Sequence, residues 1–182
     1  MKPASRWLTA ALAAAMVSTT IPARAQDAGT ASLEYQIKAT FLYTVAKFVD
    51  WPAGKIDATA PVRVAVYGKD PFGPTLERTL EGKTVNGRPL VIERLSGLEQ
   101  ARRYHILFIS SGEKKRLRQI LGALDDESVM TVSDMPDFAE QGGMVNLVMK
   151  ENSVSLEINV GAAERAHLKI SSRLLKLARV VH

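Results

Sequence analysis

The sequence predicts one α/β domain in three layers: a mostly parallel sheet with helices on both faces and an antiparallel hairpin toward the C-terminus. Three observations predict it. Strand-like and helix-like segments alternate from residue 62 to residue 132, the order that builds a parallel sheet. Residues 105–109 (HILFI) are almost wholly apolar, as suits a strand covered on both faces. Beyond them, β runs at 144–149 and 154–160 are separated only by Lys150-Glu151-Asn152-Ser153, a polar loop of hairpin length.

The first element is a leader. Lys2 and Arg6 precede an apolar run at 7–17, and Ala23-Arg24-Ala25 offers a small-residue cleavage site, the layout of a secretory signal. Cleavage is expected after Ala25, with residues 26–31 (QDAGTA) a disordered lead-in and the domain at 32–182. The apolar run falls short of the roughly 20 residues a spanning helix needs, so no membrane insertion of the mature chain is expected. Without a cysteine after the cleavage site, lipid acylation there is excluded. Loss of Lys2, Arg6 and Arg24 leaves 21 basic against 19 acidic residues, so the mature charge is +2 rather than +5. That balance, with export, argues against nucleic acid as a partner.

From residue 33 to 49, Ile37, Phe41, Val45 and Phe48 recur at helical spacing, with Leu42, Ala46 and Val49 beside them and the pair Glu34/Lys38 assigned to the outer side. Trp51-Pro52 ends this helix. The order then reads strand 62–67, helix 72–80, strand 89–95, short helix 98–102, strand 105–109, helix 113–123 and strand 129–132. After the hairpin come helices at 162–166 and 172–180, the second carrying Arg173, Lys176 and Arg179 at i, i+3, i+6. Such a basic stripe is ordinarily a solvated face, and it is the segment suited to an acidic partner.

Ligands in open α/β sheets bind outside the carboxyl ends of the strands, which singles out the loops holding Asp70, Ser111 and Asp134. The first reading of these loops is capping: Ser110-x-x-Glu113 fits a capping box, and Asp70 and Asp134 stand shortly before prolines. Ligand binding is the second reading. Gly-rich dinucleotide and P-loop signatures are absent, as is the G-x-S-x-G elbow, so no catalytic residue and no cofactor is assigned. No metal site is assigned either. The chain has no cysteine, and His105, His167 and His182 do not share ligand spacing; the run Asp125-Asp126-Glu127 reads as a solvated turn. Aromatic residues gather in the first helix and its exit, and of these Tyr43 and Trp51 are the candidates for a partner surface.

Several phrases together resemble the YfiR family: YQIKATFLYTVAKFVDWP (35–52), VAVYGKDPFG (64–73), GKTVNGRPLVIERL (82–95), HILFIS (105–110), the Gly142-Gly143-Met144 turn, and LEINVGAAERAHLKISSRLLKLARVV (156–181). The resemblance implies a periplasmic, non-enzymatic regulatory protein. Its expected partner is the periplasmic part of an inner-membrane diguanylate cyclase or another envelope sensor, repressed so as to control cyclic di-GMP and biofilm formation; a homodimer stays open. Where relatives commonly carry cysteines, this chain has Ala65 and Tyr104, so packing is expected to replace a disulfide.

Overall fold

The computed structural model describes residues 23–55, 59–150 and 153–182, with side chains described from residue 33 onward. The predicted leader up to residue 22 and the centre of the predicted hairpin loop, residues 151–152, lie outside the described residues.

An eight-stranded mixed sheet forms the middle layer. Its order is β10 (Ala178–Val181), β8 (Ser153–Asn159), β7 (Val145–Lys150), β6 (Met130–Ser133), β5 (Ile106–Ile109), β2 (Val62–Tyr67), β4 (Arg88–Leu95) and β3 (Thr84–Val85). Neighbours from β7 across to β4 are parallel, and β7 with β8 forms the predicted antiparallel pair. Because side chains alternate across a strand, β2 sends Val62, Val64 and Val66 to one face and Ala65 and Tyr67 to the other. On the first face lie α1 (Ala23–Lys47), α2 (Thr75–Leu80), α4 (Val160–Arg165) and α5 (Ser172–Leu175), contributing Leu42, Leu76, Ala162 and Leu174 to that core. On the second lie the 3₁₀ turn Leu98–Arg103, α3 (Leu117–Ala123) and the loop after β6, through Ala101, Ile120 and Phe138. The predicted three-layer α/β domain is the observed one.

Four local differences have physical causes. Helix α1 starts at Ala23, so its backbone runs through residues 26–31, where the sequence suggests a lead-in; Ala28 and Ala31 are strong helix formers, and extending an existing helix is far easier than nucleating one. Its buried face is Lys38, Ala39, Leu42, Val45 and Ala46, so Lys38 points inward and Ile37, Phe41 and, just past its end, Phe48 are only partly buried. The predicted final helix at 172–180 stops at Leu175, and residues 178–181 form β10 in parallel register with β8. Finally, Val49–Asp50 (β1) pairs antiparallel with Lys169–Ile170 (β9), a two-residue ladder too short to leave a periodic signal.

The places of the two expected cysteines are packed. Ala65 and Tyr104 both belong to the second-face core, with the Tyr104 hydroxyl donating to Glu93 at 2.6 Å. The Gly142-Gly143 turn is equally constrained: Gly142 has φ +97°, and a Cβ on Gly143 would collide with the buried Phe138 ring.

Candidate functional site

The crevice between the C-terminal ends of β2 and β5, where the strand order reverses, is filled by the protein itself. Gly68 (φ +88°) lets the Glu113 side chain lie against its backbone, and a Cβ there would stand 2.9 Å from the Glu113 Cγ. Glu113 therefore covers a strand end rather than closing a capping box, and the Ser110 side chain makes no cap hydrogen bond. Asp70 is fully engaged: Oδ1 accepts the Phe72 N–H at 2.8 Å and Oδ2 accepts from Arg94 at 2.8 and 3.0 Å. Arg94 is itself held by Glu77 and the Gly73 carbonyl. Ser111 is exposed at the start of a 3₁₀ turn. Nothing converges with these two residues to make a ligand site.

Asp134 differs. It follows the last residue of β6, and no helix begins there for it to cap; the turn is held by Ser133, whose Oγ accepts the Met135 N–H and donates to the Ile109 carbonyl. That frees the Asp134 carboxylate, whose Oδ2 accepts from Lys38 Nζ at 2.7 Å and from the Tyr35 hydroxyl at 2.9 Å. The Lys38 ammonium also meets Glu34 and lies 4.5 Å from the Tyr35 ring centroid. Burial first, then the Asp134 carboxylate, push the Tyr35 hydroxyl well above the usual tyrosine range, so it serves here as a donor. Tyr35 stacks edge-on against Phe72, and Phe72 against Phe108 of β5, which ties the polar pair to the sheet.

The other carboxylate oxygen, Asp134 Oδ1, is buried and has no partner among the described residues. One register step away, Asn146 of β7 sits beside Ser133 and opposite Glu157 of β8. Its amide donates to Glu157 at 3.3 Å, leaving its own Oδ1 as the second buried acceptor without a partner among the described residues. Glu157 in turn accepts from Arg179, which also holds Glu140. Asp134, Asp137, Asn146 and Glu157 line one cleft of about 340 Å³. Each bare buried acceptor costs roughly 1–3 kcal/mol, so two in one cleft is an arrangement that invites a donor.

The predicted partner residues fall in separate places. Trp51 is half-buried: its indole N–H donates to the His105 carbonyl at 3.2 Å and its ring meets the His105 ring edge-on, while it borders a cleft of about 700 Å³ with Glu164, His167 and Lys169. His105 Nδ1 accepts the Arg63 N–H at 2.8 Å; burial, aided by the charges of Lys55 and Arg88, lowers its pKa to about 4. Tyr43 is half-buried, donating to the Thr84 carbonyl between the ammonium groups of Lys47 and Lys83. Arg173 and Lys176 are exposed, but Arg179 stands on β10 and pairs with acids, so the basic helical stripe does not form. The acidic turn is likewise paired, Asp126 with His167, Asp125 with Arg165 and Glu127 with Arg102. Among the described residues no group of three or more His, Cys, Asp or Glu could hold a metal ion.

The sequence singles out Asp134 but not Tyr35, Lys38, Asn146 and Glu157 as its surroundings. The signal was present: Lys38 interrupts the apolar series completed by Leu42, Val45 and Val49, Asn146 stands between Val145 and Leu147, and Glu157 between Leu156 and Ile158. A polar residue in a buried position implies a partner, though only the fold says which.

No curated protein matches the chain. A family model described as YfiR/HmsC-like matches residues 35–179, from Tyr35 of the Asp134 cluster to Arg179 on β10. The match thus spans the sheet and both candidate surfaces, and the chain belongs to the YfiR/HmsC-like family.

Proposed function

We propose that this protein is a periplasmic, non-enzymatic regulator that binds the periplasmic part of an inner-membrane diguanylate cyclase and represses it, thereby controlling cyclic di-GMP. The family match over residues 35–179 carries this reading. The surface supports it. Leu177 is 71 % exposed and Val180 is also exposed, so apolar side chains mark β10, which closes one end of the sheet order. Trp51, Tyr43, Arg173 and Lys176 supply further accessible contacts of the kind that interfaces use. No described helix is long and apolar enough to cross a membrane. Repression needs no active site, only a difference in affinity for the two states of the partner.

Loss of the gene in its own host is expected to raise cyclic di-GMP, and crosslinking of the tagged protein is expected to recover a membrane cyclase with a periplasmic segment. Unchanged cyclic di-GMP together with no captured cyclase would overturn the proposal. A ligand-binding reading centred on Asp70 or Ser111 has no support, because Asp70 is saturated by Phe72 and Arg94 and Ser111 faces solvent.

A further inference from the structure

We propose that the cleft between the end of β6 and the β7–β8 pair is a binding site for a guanidinium or primary ammonium group, held by Asp134 Oδ1, Asn146 Oδ1 and the Glu157 carboxylate. Two independent observations meet there. Among the described residues the buried side-chain polar atoms without a hydrogen-bond partner are Asp134 Oδ1 and Asn146 Oδ1, and both residues line this cleft. Both atoms are acceptors, so what completes them is a donor. The Asn146 orientation is fixed by its neighbour, since its amide nitrogen donates to Glu157 and the reverse orientation would set oxygen against carboxylate.

Charge selects a cationic donor over a neutral one. The lining carries Asp134, Asp137 and Glu157. The cations paired with that lining are each shared with a further carboxylate, Lys38 with Glu34 and Arg179 with Glu140. Five carboxylates thus surround two cations. Both of the lining side chains are also preorganised: the Asp134 side chain is 5 % exposed and anchored by Lys38 and Tyr35, and Asn146 is 1 % exposed within the sheet. A group bound there would touch the same carboxylate that Lys38 and Tyr35 of α1 hold. The cleft is therefore a place where a small cation could be sensed by the longest helix of the fold.

The bound group could belong to a free amine or to an arginine or lysine side chain of another protein, and the probes separate the two. Agmatine, which carries both a guanidinium and an ammonium, would be titrated into the purified protein while amide resonances are followed by NMR. Choline, a cation without N–H donors, and the blocked peptide acetyl-Gly-Arg-Gly-amide run in parallel. Agmatine is expected to shift the Asp134, Asn146 and Glu157 resonances saturably while choline does not. Asn146→Leu is expected to weaken agmatine about tenfold or more, the size of a lost hydrogen bond to a charged group. Tighter binding of the peptide than of agmatine would identify a protein side chain as the source, and the reverse a free amine. The proposal is overturned by no saturable shift up to about 10 mM agmatine, well above the range of specific small-ligand affinities, by equal binding of choline, or by unchanged affinity in folded Asn146→Leu. Should Asn146→Leu fail to fold, Glu157→Gln decides in its place, with weakened binding expected and unchanged binding overturning the site.

Discussion

Lys38 shows how much one inward-turned residue can hold. Its side chain is 4 % exposed, and its ammonium is the one cation paired with Asp134 among the described residues, the Asp134 side chain being 5 % exposed. Taking it away leaves a buried carboxylate with only the Tyr35 hydroxyl as partner. Lys38→Met is therefore expected to cost about 3–5 kcal/mol in urea unfolding, whereas Lys38→Met/Asp134→Leu, which removes both charges, recovers most of the loss. A single-variant cost below about 1 kcal/mol would show that the pair is solvated. A second residue, His105, makes stability depend on pH. Its folded pKa of about 4 lies below the ordinary 6.5, so between these values the unfolded chain binds the extra proton. The contribution is then complete above pH about 6.5 and lost as pH falls toward about 4, amounting to roughly 3 kcal/mol. His105→Asn keeps an acceptor for the Arg63 N–H but cannot titrate, and should flatten that part of the stability profile. Parallel profiles for variant and wild type across this window would remove His105 from the account. Neither role was legible from the residues alone. Lys38 does pair with Glu34 at i,i+4, but it points inward because its second partner, Asp134, is 96 positions away, and His105 precedes a strand with nothing nearby in sequence to reveal the Arg63 amide.

Among the elements, β10 is the one where local pattern and tertiary outcome part. Residues 172–180 carry helical spacing, yet the helix lasts only for Ser172–Leu175 and the chain then extends beside β8. The extended form buries Val181 and brings the Arg179 guanidinium onto buried Glu157 at 2.8 Å. Hydrogen exchange tests this directly. A strand at the end of a sheet bonds through alternate amides, so protection along Ala178–Val181 should alternate, whereas a helix would protect successive amides alike. Continuous protection would restore the helix. The interior strands were legible because burial on both faces leaves unbroken apolar runs, of which ILFI at Ile106–Ile109 is wholly buried. The short pairs β1–β9 and β3–β4 were not, since two-residue ladders are selected by the surrounding packing rather than by their own composition.

At the scale of the whole molecule, the two candidate surfaces lie on different parts of the same framework. The Asp134 cleft opens at β6, β7 and β8, whereas Trp51 sits where the exit of α1 meets β9 through the β1–β9 ladder. Of the three loops after the strands, the one after β2 is closed by Glu113 over Gly68 and Arg94 over Asp70, and Ser111 of the next faces solvent. Asp134 keeps a buried oxygen without a partner among the described residues. For a regulator of a membrane partner, Trp51 should then matter more than the strand-end loops, because it couples an accessible cleft to the His105 carbonyl and hence to β5 and β6. In a binding assay against the captured partner's periplasmic segment, Trp51→Ala is expected to weaken association by roughly tenfold or more, the scale of an aromatic anchor, while Ser111→Ala has little effect. Since Trp51 also supports the fold, Trp51→Phe serves as the companion variant: it keeps a ring against His105 and loses the indole N–H. Intermediate binding with unaltered stability would assign the effect to the surface. Equal effects of Trp51→Ala and Ser111→Ala would instead move the contact to the apolar margin of β10, where Leu177 and Val180 stand exposed.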